Sequence, residues 1–382
     1  MNHAQVRFAY EEDTAARVIS TIQNRFFLMG ASVYRTGDGS FVASINERTC
    51  DMLEDIYLSL SMGAVLIDGT KILPVVSVAM IDPSTIGSYK VSSMVSNALC
   101  VGAALKPAQL NHKWRAMYER DMNICVELVT RLDARQATLH RQPVRSMATR
   151  SALYEEVFLR FEGKGGVPLL SFAECVKAIK NIGIQKVIDM YVLSSVLDQL
   201  ERETSTSIGC NLSASSFILD TLWARTIKRL TSNPALARRL VIELTEEEPL
   251  DDLESALLFI EKLRELGCRF ALDDLGAGMS RTTVIERGNF EYIKIDKSLL
   301  HAARNNSAGK KMLKHTVEYC GLFSKEIIVE GMETINDLNQ VMKLGVSGGQ
   351  GYYFHADAKR INFPVTYSGL QKAVFTWVSN AG

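Results

Sequence analysis

From about residue 205 onward the chain alternates short apolar runs with longer stretches of helical period, and few folds accept that alternation. "IGCNLS" (208–213), "LVIELTE" (240–246), "RFALDD" (269–274), "YIKID" (292–296) and "EIIVEG" (326–331) each read as a buried strand. Between the second and third lies "DDLESALLFIEKLRELG", in which Leu253, Ala256, Leu257, Ile260, Leu263 and Leu266 line one helical face and Gly267 stands as the stop. "GKKMLKHTVEYCG" and "INDLNQVMKLG" repeat the arrangement on either side of the fifth strand. Units of this kind require parallel strands joined by crossover helices. Asn211, Glu243, Asp273, Asp274, Lys294, Asp296 and Glu330 all fall at or just past the C-terminal ends of their strands. In a closed barrel those ends meet at one mouth, whereas an open doubly wound sheet gathers ligands at a switch point. No glycine-rich fingerprint follows a first strand, and so many acidic or amide strand ends suit a ring. The expected fold is α/β, a (β/α)₈ TIM-like barrel.

The chain ahead of the barrel follows another pattern. "YERDMNICVELVTRLDARQATLH" (118–140) reads as one long, highly charged helix joining two domains. Before it come a helix at about 10–24, a stretch "SVYRTGDGSFVASIN" (32–46) whose Gly37-Asp38-Gly39 core marks a tight hairpin, a second helix, and a strand "PVVSVAMID" (74–82). The expected division is a small α+β domain over 1–114, a linker helix over 115–138 and the barrel over 139–382. A length of 382 residues suits such a division.

Charge and cysteine usage narrow the function classes. Lys+Arg and Asp+Glu both number 43, so no overall field draws in nucleic acid or an acidic membrane. The seven cysteines are scattered without a C-x-x-C pair, which points to reduced thiols in a cytoplasmic protein and away from disulfides or zinc. Glu11, Glu12 and Asp13 stand where a signal peptide would need basic and then apolar residues. The most apolar window, "MVSNALCVGAAL" (94–105), is too short and broken to span a bilayer.

Asp273 and Asp274 raise the sharpest chemical question, because burying charge is costly unless it is paired or bound to a cation. One of them could simply cap the next helix. Two together, followed by Gly276 and Gly278, suit a divalent metal. A set of carboxylates with one amide is an oxygen-rich site for Mg²⁺ or Mn²⁺. Of the six histidines, only His355 lies near an expected strand end, so no nitrogen-rich set competes. Two metals can activate a water and stabilise in-line displacement at phosphorus. Lys294, between isoleucines at a strand end, is either a snorkelling surface residue or a group that orients the water and offsets phosphoryl charge. Phosphodiester hydrolysis is the reading the residues support best.

Several separated motifs over roughly 139–380 resemble the EAL domain, the family of cyclic di-GMP phosphodiesterases with a (β/α)₈-like barrel. "QPV" (142–144) resembles its opening strand, and "EVFLR" (156–160) stands where Glu-Ala-Leu-Leu-Arg is found. "NLS" (211–213), "ELTE" (243–246), "DDLGAG" (273–278), "KID" (294–296), "EGMET" (330–334) and "QGY" (350–352) match further motifs. The resemblance implies Glu156, Asn211, Glu243, Asp273, Asp274 and Glu330 as ligands of one or two Mg²⁺ or Mn²⁺ ions. It implies Lys294 near the attacking water, Glu333 in support, and Gln142, Arg160, Asn211 and Gln350 toward the substrate, with Gln350 also beside the water. Glu246, Gly276 and Gly278 would support the loop after the aspartates, which in the family closes on substrate and on a partner subunit; a homodimer through the EAL domain is implied. The chain departs at Val157 and Phe158 in the signature, at Leu275, Ala277 and Met279 in the loop, at Ser347, and in "HADAK" (355–359).

"VYRTGDGSF" (33–41) resembles the hairpin of the GGDEF domain, the diguanylate cyclase family, with its second acidic residue gone. Only 36 residues precede Gly37, which leaves no room for that family's first metal-binding strand and helix. A degenerate, truncated unit is expected, used for regulation, dimerisation or a protein partner. Three readings of the whole remain open: a phosphodiesterase opening cyclic di-GMP to linear pGpG, a receptor that binds it and signals through a partner, and an interaction module that has lost the nucleotide. The retained ligand types favour the first, and the altered loop and hairpin favour the second. One expectation is common to all three. The chain should make no cyclic di-GMP from GTP, because the triphosphate needs carboxylate-held Mg²⁺ that this hairpin cannot supply; product above a buffer control in a GTP turnover assay would contradict it.

Overall fold

The computed structural model describes residues 2–37, 39–44, 53–78, 111–161, 172–245, 250, 252–276, 282–357 and 362–364. In the N-terminal part, helix α1 (His3–Leu28) is followed by a hairpin of β1 (Ser32–Gly37) and β2 (Ser40–Ser44). The hairpin lies where the glycine-centred turn places it. Helix α2 (Leu53–Met62) and a second hairpin, β3 (Val65–Ile67) with β4 (Thr70–Ile72), follow. This second hairpin was not anticipated. The strand expected over 74–82 does not form across 74–78, and the rest of it lies outside the described residues. Val75 instead donates its amide to the Asn2 side chain at 3.1 Å, and Asn2 Nδ2 reaches the Tyr118 hydroxyl at 3.0 Å.

Tyr118 belongs to α3 (His112–Asp133), which the Asn111 side chain caps by accepting from the Trp114 amide. The helix expected to run on to residue 140 therefore stops short. Arg135 takes φ +55°, and the chain turns into strand β5 (Ala137–Ser146). The backbone polar groups from 137 onward find partners in a sheet, which outweighs continuation of the helical pattern.

The barrel strands are β5, β6 (Ala152–Phe161), β7 (Ile208–Leu212), β8 (Leu240–Thr245), β9 (Arg269–Leu275), β10 (Tyr292–Ile295), β11 (Glu326–Val329) and β12 (Gly348–Gly349). They pair in that order, and β12 pairs back to β5, so the eight close into a ring. A ninth strand, β13 (Asn362–Pro364), pairs antiparallel with the first part of β5, at Thr138–His140. The expected all-parallel ring is corrected at one place: β5 runs antiparallel to both β6 and β12. Residues 147–151 between β5 and β6 are too few for a crossover helix, so the two strands form a hairpin.

Because side chains alternate along a strand, the inside of the ring is layered. Val144, Tyr154, Val241, Ala271, Tyr292 and Ile328 form a separate buried cluster, the floor of the barrel. Two positions nearer the mouth stand Gln142 on the reversed β5, Glu156, Glu243, Asp273 and Lys294 on their strands, and Glu330 just past β11. The opposite faces, with Cys210, Leu244, Phe270 and Ile295, pack outward into the main core. There Phe259, absent from the expected apolar face of helix 253–265, is fully buried against Phe217 and Trp223. No helix among the described residues is long and apolar enough to cross a membrane.

Gly209 shows how tightly floor and upper layer fit. A Cβ at this position would lie 2.3 Å from Glu243 Oε1 and 2.7 Å from Tyr154 Cε2. Gly209→Val should destabilise the barrel by about 1–3 kcal/mol, the usual cost of overpacking. Urea unfolding followed by tryptophan fluorescence would measure it, and an unchanged midpoint would contradict the packing described.

Candidate active site

Lys294 is the centre of the site. Its side chain is fully buried, and its Nζ lies 2.8 Å from Glu156 Oε2, 2.8 Å from Glu243 Oε2, 2.9 Å from Asp273 Oδ1 and 2.8 Å from Glu330 Oε1. Each carboxylate comes from a different strand or strand end, so the closed ring itself gathers them. Backbone bonds fix the last positions: Glu330 donates its amide to Ile295, and Gln350 donates its own to Val329, both at 3.0 Å. The snorkelling alternative for Lys294 is thereby excluded.

The adjacent aspartates have a geometric explanation. Leu272 pairs with Ile293 and Leu275 pairs with Ile295, so Asp273 and Asp274 together stand opposite the single residue Lys294. This is a β-bulge, and Asp274 carries it at φ +59°. In a regular strand the two side chains would point to opposite faces; here both reach the mouth. Asp273 and Asp274 have carboxylate oxygens that lie with one of Glu330 within 4.8 Å of each other, while Asp273 also groups in this way with Glu156 and Glu243. Two acidic triads thus share Asp273.

Amides complete the ring. Asn211 Nδ2 donates to Glu156 Oε1 at 2.6 Å, and Gln350 Nε2 donates to Glu156 Oε2 at 2.8 Å and to Gln142 Oε1 at 3.3 Å. Three buried acceptors, Asn211 Oδ1, Glu243 Oε1 and Gln350 Oε1, have no hydrogen-bond partner among the described residues. Buried acceptors left in this way are costly unless a cation or a donor meets them. An oxygen-only donor set suits a hard divalent cation.

Electrostatics point to the same deficit of positive charge. Burial pulls the Lys294 ammonium down, but Asp273, Glu156, Glu243 and Glu330 outweigh it and push it well up. Burial and neighbouring carboxylates push Glu243 and Glu330 well above the usual range, raise Asp273, and raise Asp274 to about 7. One ammonium does not neutralise the group.

Other expected residues stand further out. Arg160, half-buried on the same face of β6 as Glu156, lays its guanidinium over Phe158 at 5.3 Å and donates to the Leu159 carbonyl. Glu333 is not brought to the cluster: it accepts from Arg304 at 2.9 Å, and Arg304 is forked onto Asp337. Gly276 takes φ +96°, and a Cβ there would meet Leu299 Cδ1 at 2.5 Å, which fits a tight loop entry. Asp296 caps helix 297–305 through the Ser298 amide. Glu246, Ala277, Gly278 and Met279 lie outside the described residues. Tyr154 and Gly209, beneath the cluster, and Asp189, outside it, were not singled out from sequence.

Comparison with known proteins identifies the family and the fold. The chain matches the family described as EAL domain over residues 126–357, more than half its length; the match does not extend to residues 33–41. It is 24% identical over 270 residues to the cyclic di-GMP phosphodiesterase PdeF of Escherichia coli (strain K12), covering 68% of this chain and 34% of that protein. It is 32% identical over 169 residues to the probable cyclic di-GMP phosphodiesterase PdeG of the same strain, covering 44% of this chain and 32% of the relative. The chain thus spans about a third of the length of these relatives. Among solved structures, the FimX EAL domain from Pseudomonas aeruginosa bound to c-di-GMP shares the fold, with a TM-score of 0.54 and 24% identity over 60% of this chain and 94% of that one.

The raised carboxylates generate a pH prediction. Asp274, at about 7 in the fold, is bound to a proton more tightly than in the unfolded chain, so without metal its contribution to stability declines as pH rises from about 4 through about 7. A divalent cation must displace that proton. Its stabilising effect on melting temperature should therefore be larger at about pH 8 than at about pH 6. An equal or inverted effect would contradict this.

Proposed function

The chain belongs to the EAL domain family, and on that premise we propose that it is a metal-dependent phosphodiesterase hydrolysing cyclic di-GMP to linear pGpG. The observation that carries the proposal is the pair of acidic triads sharing Asp273 around the buried Lys294. Two curated relatives named as cyclic di-GMP phosphodiesterases support the choice of substrate.

Mg²⁺ or Mn²⁺ bound there would supply a nucleophilic water and withdraw charge from phosphorus. Glu156, Asn211, Glu243 and Asp273 would hold one ion, and Asp273, Asp274 and Glu330 a second. The unpaired oxygens of Asn211 and Glu243 fit that role. In the reaction a water oxygen bonds to phosphorus while one ester P–O bond breaks, and the departing ribose oxygen takes up a proton. Lys294 keeps the carboxylates converged and places a fixed positive charge where negative charge develops on the phosphoryl oxygens. Gln350, held by its Nε2 on Glu156 and Gln142, keeps Oε1 as an acceptor suited to the water. Arg160 presents a guanidinium suited to a phosphate oxygen.

We infer further that residues 1–114 form a degenerate GGDEF-like unit with a regulatory role that receives a protein partner, and that the barrel domains form a homodimer. Its contact with the barrel supports this. Arg225 forks onto Asp55 of α2 at 2.8 and 2.6 Å.

Lys294→Ala tests the proposal. Turnover of cyclic di-GMP with either metal should fall by at least about a hundredfold, on the order of 3 kcal/mol, the scale of one preorganised electrostatic group. Binding should weaken less. Tight binding by the unaltered chain without turnover would replace the enzyme with a receptor, and absence of both would leave an interaction module.

A further inference from the structure

The segment that follows β7 is held by one carboxylate from outside the ring. Asp189, in the first turns of helix 185–202, accepts on a single oxygen, Oδ2, from the Ser213 amide at 2.9 Å, Ser213 Oγ at 2.5 Å and Ser216 Oγ at 2.7 Å. Ladder pairing of β7 with β8 ends at Leu212, so beyond that residue no sheet bond fixes the chain. Asn211 is the residue just before. Its Nδ2 is tied to Glu156, while its Oδ1 is buried and unpaired. The aim of that oxygen is set by Glu156 on one side and by the backbone that Asp189 grips on the other.

We propose that Asp189 is a positioning residue for Asn211, holding its amide oxygen toward the carboxylate cluster through Ser213 and Ser216 and thereby strengthening divalent-cation binding without touching the ion. This rests on the metal-site reading given above. A carboxylate accepting three donors is strongly ordered, and partners one shell removed from a metal ligand commonly change metal affinity by 10–100-fold. A plain staple between helix and loop would alter stability alone.

The test uses the full chain and Asp189→Asn, with Asp198→Asn as control. Asp198 lies on the same helix but pairs with Arg229, on the outer layer. Two readings are taken well below the melting temperature: Mn²⁺ affinity by titration, and amide hydrogen exchange of residues 209–217 without metal. D189N should weaken Mn²⁺ binding by about tenfold or more and speed exchange in that segment, while D198N should leave both unchanged. Unchanged Mn²⁺ affinity in D189N, or equal losses in both variants, overturns the proposal. If the unaltered chain binds no Mn²⁺, the metal-site reading fails, and the exchange rates alone decide whether Asp189 fixes the loop: no acceleration overturns it. Should D189N not fold, the double variant S213A/S216A carries the same two measurements.

Discussion

A single buried ammonium surrounded by four carboxylates is the interaction on which the upper half of the barrel depends. Lys294 has three N–H donors to offer, and four acidic side chains lie within 2.9 Å of it. Isolated, any of these groups would be several kcal/mol too costly to bury. Together they remain short of positive charge, and the fold answers by raising the proton affinity of Glu243, Asp273 and Glu330. Affinity for protons and affinity for divalent cations are two expressions of that shortage. A barrel built only for stability would have carried its apolar floor one layer higher.

The charged layer is legible in the sequence as residues at strand ends, whereas the apolar floor behind it is set out by the ring. Val241 and Glu243, Ala271 and Asp273, Tyr292 and Lys294, and Ile328 and Glu330 each pair an apolar residue with a charged one at a spacing of two, at the end of a short strand. The ring, its mouth and the central cluster follow from the strand–helix alternation and the charged strand ends. The reversed direction of β5 did not, although the five residues 147–151 between two alternating stretches leave room only for a hairpin. The bulge was equally hidden. Adjacent aspartates announce chemistry, but that both face one way depends on the register against Ile293 and Ile295. The grip of Asp189 on Ser213 and Ser216 was hidden too, since these residues lie 24 and 27 positions away in sequence.

The N-terminal part and the site share a neighbourhood. Helix α2 docks through Glu54 and Asp55 onto Arg225, just after the turn 221–223. Buried Tyr57 on α2 is raised first by burial and then by the nearby charges of Asp220 and Asp189. Helix α2 also packs against helix 185–202, which carries Asp189.

The position of β5 bears on how the chain reaches its native state. β5 joins β6 almost at once, but its other barrel partner, β12, lies some two hundred residues downstream. The Gln350 contacts with Gln142 and Glu156 straddle that same seam. Pairing across such a separation demands a large loss of chain entropy and is slow. During synthesis, strands β5 to β11 can associate in order as they emerge, yet the ring stays open until Gly348 and Gly349 are available. A polypeptide halted ahead of them would expose the cluster's carboxylates to water through the gap, with Glu156 lacking its bond from Gln350. The last strand of the ring to arrive is thus the one that seals the cluster, so completion of the binding centre and closure of the barrel become one event.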